Sequence, residues 1–93
     1  MHEERDGYDG EVTVVVDGRE VSAQAALAAR FDPHAGHVVW TGRVAAELHA
    51  RAEVVIATPF GSAPAEATER DLWGNTRITG VGRPPFPVEL LDG

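Results

Sequence analysis

Residues 11–17, reading E-V-T-V-V-V-D, run straight into Gly18, and no other stretch constrains the fold so tightly. Val12, Val14 and Val16 alternate onto one face of an extended chain, and β-branched side chains suit a pleated surface. An Asp-Gly pair after such a run is the strongest short hairpin signal in the chain and gives a tight two-residue turn. A hairpin is therefore expected at Asp17-Gly18. The segment that follows, residues 21–31 (V-S-A-Q-A-A-L-A-A-R-F), supports two readings. Its alanines favour a helix, with Ser22 as N-cap. It also alternates, with Val21, Ala23, Ala25, Leu27, Ala29 and Phe31 on one face. A two-residue turn needs a strand on both sides, which favours the strand.

Residues 31–44 read F-D-P-H-A-G-H-V-V-W-T-G-R-V. Pro33 presets φ for a turn, Asp32 bonds forward to the backbone, and Gly36 takes positive φ without steric cost. Beyond it, Val38, Trp40, Gly42 and Val44 share one face of a strand, and His37, Val39, Thr41 and Arg43 the other. A glycine two places after the tryptophan leaves room for a large ring or a crossing backbone. Trp40 reads as a core residue, or else as the wall of a pocket.

The rest of the chain continues in short pieces. Residues 45–51 (A-A-E-L-H-A-R) are good helix formers, and one or two helical turns packed down by Leu48 are expected. Residues 53–58 are a strand, Pro59-Phe60-Gly61 a turn, and residues 62–70 a thin polar strand. Pro64 near its start marks an edge or a strand beginning. A turn cluster at residues 71–75 precedes a last strand at 76–80, and the prolines of 83–87 carry the chain away in extended form. Residues 1–10 form an acidic, loose lead-in docked by Tyr8, which leaves 11–93 as one small β domain. The sum is an all-β fold: a small antiparallel meander barrel or sandwich of about six strands with one short helix. A barrel is attractive because closure removes edges that short strands cannot protect.

Composition narrows the function. With 43% apolar residues, many of them alanine, and six aromatics, the core of this 93-residue chain is modest. A homodimer would relieve that by burying more surface. No run reaches membrane-spanning length and the N-terminus is unlike a signal peptide, so a cytoplasmic protein is expected. Cysteine and lysine are both absent, which removes thiol nucleophiles, thiolate metal sites and Schiff bases. The net charge of −7 argues against nucleic acid as a partner. Residues 1–20 alone contribute −5 of it, with seven acids against two arginines, and read as a solvated arm.

Few residues carry chemistry. His34 and His37 sit three apart across a turn, but a metal needs a third ligand, and only His49 or a distant carboxylate is on offer. His37 alone would act as a general base only if Arg43 or a carboxylate tuned it. Neither Ser22 nor Ser62 lies in a nucleophile elbow. Gly80-Val81-Gly82 precedes two prolines where a dinucleotide fingerprint needs a helix. No cofactor site is expected. In the structural reading Asp71 caps the turn, Trp73 plugs a barrel end and Arg77 pairs with a carboxylate. In the ligand-binding reading Trp40 and Trp73 line a pocket, Arg43 or Arg77 at its mouth fixes an anionic or carbonyl group, and Phe86 serves as lid or plug.

The order G-Y-D-G, then F-D-P-H-A-G-H-V-V-W-T-G-R-V, then A-T-P-F-G-S-A, then D-L-W-G-N-T-R-I-T-G-V-G-R-P-P-F, resembles a small actinobacterial domain family of unknown function. Members stand alone or are appended to the C-terminus of flavin-dependent monooxygenases. The resemblance implies a strand at residues 21–31, where the alanine content is a departure from the bulkier residues expected, and it assigns no catalytic residue. It implies a β-barrel module that binds a small apolar or aromatic molecule, or that serves a flavin-dependent monooxygenase in trans. The alternative is a small cofactor-independent isomerase, cyclase or dehydratase working by shape and one acid/base group. A closed pocket holding His37, Asp71 or a glutamate beside the tryptophans would favour the enzyme, and a filled barrel the docking module. A purely structural dimer would show an exposed apolar sheet face.

Overall fold

The computed structural model describes residues 7–88, and residues 1–6 of the expected lead-in lie outside them. Six strands form: β1 (Gly7–Val16), β2 (Arg19–Asp32), β3 (His37–Val44), β4 (Glu53–Thr58), β5 (Gly61–Arg70) and β6 (Thr76–Gly80). They close into an antiparallel barrel in the order β1-β2-β3-β6-β5-β4. The fold is therefore a barrel rather than a sandwich. It consists of two three-stranded meanders, joined along β3–β6 and along β1–β4.

The first hairpin forms as its residues dictate. Asp17 and Gly18 take φ of 53° and 77°, the pair of left-handed values that a type I′ turn requires. β2 is extended throughout and pairs ten residues with β1, so its alternation outweighs its alanines. Asp32 Oδ1 accepts the His34 N–H at 3.0 Å and Gly36 sits at φ 78°, which turns the chain into β3. β1 starts at Gly7, so residues 7–10 of the expected lead-in belong to the sheet. Tyr8 meets Phe60 edge-on at 6.2 Å. Pro64 lies inside a closed sheet yet costs no ladder bond. Its carbonyl accepts from Val81 at 3.0 Å, so its missing N–H points to the same side, just past the end of β6.

The expected short helix does not form: residues 45–51 are not helical. They form bends and a turn that cross one end of the barrel from β3 to β4. Seven residues gain few helical hydrogen bonds against a costly nucleus, and this segment finds better partners elsewhere. Buried Thr76 donates its hydroxyl to the Ala46 carbonyl at 2.6 Å and accepts the Leu48 N–H at 3.1 Å. Arg51 takes φ of 69°, a left-handed value that ends any helical run. Leu48 does pack down, and is 6% exposed.

The interior is filled. Val14, Trp40, Val44, Ile56, Ala67 and Ile78 have no accessible surface. Trp40 dominates, and the barrel makes room for it with small residues: Ala23 and Ala25 of β2, and Ala63, Ala65 and Ala67 of β5. Of the two roles its spacing suggested, Gly42 takes the second, close approach of the neighbouring backbone at Ala26 and Leu27, while the glycine that accommodates the indole is Gly80 on the strand beyond. A Cβ at Gly80 would overlap the indole, whereas one at Gly42 would strike Leu27. Phe86, carried by the proline segment, closes the other end and meets Trp40 edge-on at 6.4 Å and 84°. Thr58 Oγ1 fastens this plug by donating to the Pro85 carbonyl at 2.5 Å.

Candidate functional site

The structure divides the five candidate residues among three places and leaves the two indoles apart. Trp40 and Phe86 touch inside the barrel, whereas Trp73 is 80% exposed, so no pocket has both tryptophans as walls. Trp73 plugs no barrel end either. Arg43 and Arg77 do meet, on the outer surface.

Arg43 on β3 stands directly opposite Arg77 on β6, and paired residues share a face. A bulge in β5 brings a third element to them. Ala63, Ala65 and Ala67 point inward, and unbroken alternation would turn Glu69 inward as well. The register shift between Ala67 and Glu69 instead sets Glu69 opposite Arg77, on the outside. Thr68, the extra residue, anchors the bulge by donating its hydroxyl to the Arg77 carbonyl at 3.1 Å. The result is an open cavity of about 300 Å³ lined by Arg43, Glu69, Arg70, Asp71, Asn75 and Arg77.

The loop above it is built on one carboxylate. Asp71 Oδ1 accepts the backbone N–H groups of Trp73 at 2.8 Å and Asn75 at 3.0 Å, and Oδ2 accepts the Asn75 side-chain amide at 3.1 Å. Asp71 thus caps the turn as its position suggested. The bond from the Asn75 backbone, helped by those from Trp73 and the Asn75 side chain and by the charge of Arg43, holds its carboxyl below the usual 3.8 against a smaller desolvation effect. Arg43 Nε lies 4.0 Å from Asp71 Oδ2. Fixed at both ends, the loop holds Leu72 and Trp73 out in solvent, 91% and 80% exposed. Gly74 supplies the left-handed residue, φ 86°, that the tight return needs.

Glu69, Arg70 and Asn75 were not singled out from the sequence. Asn75 sat in the recognised turn cluster, but joining Glu69 to Arg77 requires the bulge, and joining Arg43 to Arg77 requires the strand order. The other candidates stay scattered. His34 lies in the β2–β3 turn, and His37 Nδ1 is 3.1 Å from the Val38 carbonyl oxygen. Among the described residues, no three histidines or carboxylates stand together as a metal site. Gly82 sits at φ 79° in a bend, not at a helix start. A second hollow, mostly apolar, is lined by His37, Val38, Gly82, Arg83 and Pro84. The Trp40 indole N–H is buried and has no hydrogen-bond partner among the described residues. Among the described residues no helix is long and apolar enough to cross a membrane.

Three relatives, an uncharacterized protein of Mycobacterium bovis and one from each of two Mycobacterium tuberculosis strains, are each 35% identical to this chain over 85 residues. The match covers 85% of this chain but 24% of each relative, so the chain spans about a quarter of their length. No solved structure matches it. The matches agree with the actinobacterial resemblance read from the motifs. Residues 5–88 match the family described as Domain of unknown function (DUF4873), and the chain belongs to that family.

Proposed function

We propose that this domain is a non-catalytic docking module, that its partner is a flavin-dependent monooxygenase, and that Leu72 and Trp73 are its anchor. The observation that carries the reading is the contrast between a filled barrel and an apolar tip held in solvent. Thr76 is the one buried polar residue among those described, and both its bonds go to the crossing segment 45–52, so the interior offers no acid/base group to a substrate. His37 and Asp71, two of the groups named for the enzyme reading, lie outside the barrel. Exposing a leucine and a tryptophan costs solvation free energy, and an exposed aromatic on a preordered loop is the kind of residue that anchors interfaces. The monooxygenase as partner comes from the resemblance. The relatives' greater length fits a module that also occurs inside larger chains. On this reading it acts in the cytoplasm, beside its enzyme.

The test is to mix the purified domain with a flavin-dependent monooxygenase of the same organism and measure the mass of the complex by light scattering after gel filtration. A complex that the Leu72→Ser/Trp73→Ser variant fails to form supports the reading. The absence of any complex with the wild-type domain, or one indifferent to both substitutions, ends it.

A second reading has two observations in its favour. The Trp40 indole N–H, without a partner among the described residues, and the apolar hollow lined in part by Gly82, Arg83 and Pro84 suit a small aromatic molecule that displaces Phe86 and accepts that hydrogen bond. Quenching of Trp40 emission by such a molecule would support it.

A further inference from the structure

The outer-face arginines raise a question that docking through Trp73 alone leaves open. Arg43 and Arg77 are directly opposed on adjacent antiparallel strands, where Cβ atoms lie roughly 4.5–5.5 Å apart and like charges are unfavourable. Arg43 has Asp71 at 4.0 Å. Arg77 and Arg70 have no ion pair among the described residues, although Glu69 stands opposite Arg77. In a chain of net charge −7, this corner carries three guanidiniums against two carboxylates, one positive charge in excess.

We infer that Arg43, Arg70 and Arg77 form a receptor for a single carboxylate, supplied by an acidic side chain on the protein that Leu72 and Trp73 anchor. The inference rests on the docking reading and names the partner's chemistry: an aspartate or glutamate flanked by an apolar cleft. Three features select a carboxylate. Two guanidiniums side by side on neighbouring strands match a planar anion held through paired N–H donors. The excess of one positive charge is neutralised by a monoanion, whereas a phosphate dianion would leave net negative charge beside Asp71 and Glu69. Asp71 cannot serve as the internal counter-ion for all three, because its oxygens are already committed to Trp73, Asn75 and Arg43. A macromolecular source is favoured because the cavity is open and polar, and because its apolar neighbours, Leu72 and Trp73, stand outside it.

The probe is a blocked pentapeptide, acetyl-Gly-Leu-Glu-Leu-Gly-amide, beside its Gln analogue and inorganic phosphate. Binding is followed by NMR through the arginine Nε–H and Trp73 indole N–H signals, with buried Trp40 as internal reference. The Glu peptide is expected to shift Arg77 and Trp73 together. Affinity should fall about tenfold with the Gln analogue or with Arg77→Ala. Glu69→Gln should tighten binding about threefold, since it removes a competing carboxylate, an effect no structural role for Glu69 predicts. Equal binding of the Glu and Gln peptides, no binding of either, indifference to Arg77→Ala, or tighter binding of phosphate would each overturn the inference. The two readings also fail separately. Capture of the monooxygenase that survives Arg77→Ala sinks the carboxylate receptor and leaves docking intact, whereas failure of the wild-type domain to capture it sinks docking itself.

Discussion

Replacing Gly80 with alanine is the most direct challenge to the packing described above. The added Cβ would fall on three atoms of the Trp40 indole: Cε2, Nε1 and Cδ2. The methyl is fixed to the backbone of a paired strand, so the ring would have to yield. It has little space to do so, being fully buried with Phe86 against it at 6.4 Å. Overpacking of this kind costs roughly 1–3 kcal/mol, occasionally more, and a backbone-mounted clash with a rigid ring belongs near the top, at about 3 kcal/mol. A domain of this size has about 5–14 kcal/mol in total, so the variant should fold but melt roughly 12–24 °C lower. Trp40→Phe, which removes the fused ring, should cost about 2 kcal/mol through the cavity it leaves. In that background Gly80→Ala should cost less than about 1 kcal/mol, a coupling of about 2 kcal/mol between the two sites. Urea unfolding followed by far-UV circular dichroism measures all four corners of the cycle. A Gly80→Ala protein within about 0.5 kcal/mol of wild type, or strictly additive effects, would refute the proposition that Gly80 is the indole's seat.

Removing the plug with Phe86→Ala should cost about 3–4 kcal/mol, as for other buried phenyl groups, and should open Trp40 to acrylamide quenching. Thr76→Val keeps the shape but strips the Ala46 carbonyl and the Leu48 N–H of their partner, so a loss of about 2–3 kcal/mol is expected, with amide exchange at Leu48 accelerating most. Asp71 gives a pH signature whose sign follows from its lowered carboxyl value. The ordering it confers on residues 71–75 is complete above the ordinary 3.8 and is lost as pH falls through the lower folded value. Trp73 emission should change in that acid range, and Asp71→Asn should abolish the pH dependence.

Much of this architecture was legible from period-two patterning. Val12, Val14 and Val16 fixed the inward face of β1, and Asp17-Gly18 fixed the turn and with it the extended state of an alanine-rich β2. What escaped involved residues far apart in the chain. Gly42 and Gly80 are equally plausible seats for an indole until the β3–β6 pairing is known. Residues 45–51 look helical because propensity is local, while the hydroxyl that captures their backbone comes from Thr76. Trp73 looks like a core residue by type, yet the hydrogen bonds of Asp71 hold its loop away from the barrel. The arginine corner was half visible: Arg43 and Arg77 stood out, but the bulge that turns Glu69 outward leaves no mark in composition.

The strand order has one more consequence. The β1–β3 unit and the β4–β6 unit occupy equivalent positions, each carrying an alanine row on its middle strand and each meeting the other along two antiparallel seams. Residues 45–52 are the one covalent tie between them. Cut within that stretch, the halves have every contact needed to find each other again as separate peptides. Shorten it until it cannot bridge the barrel end, and each half must borrow its complement from a neighbouring molecule, yielding an intertwined pair of barrels from the same amino acids.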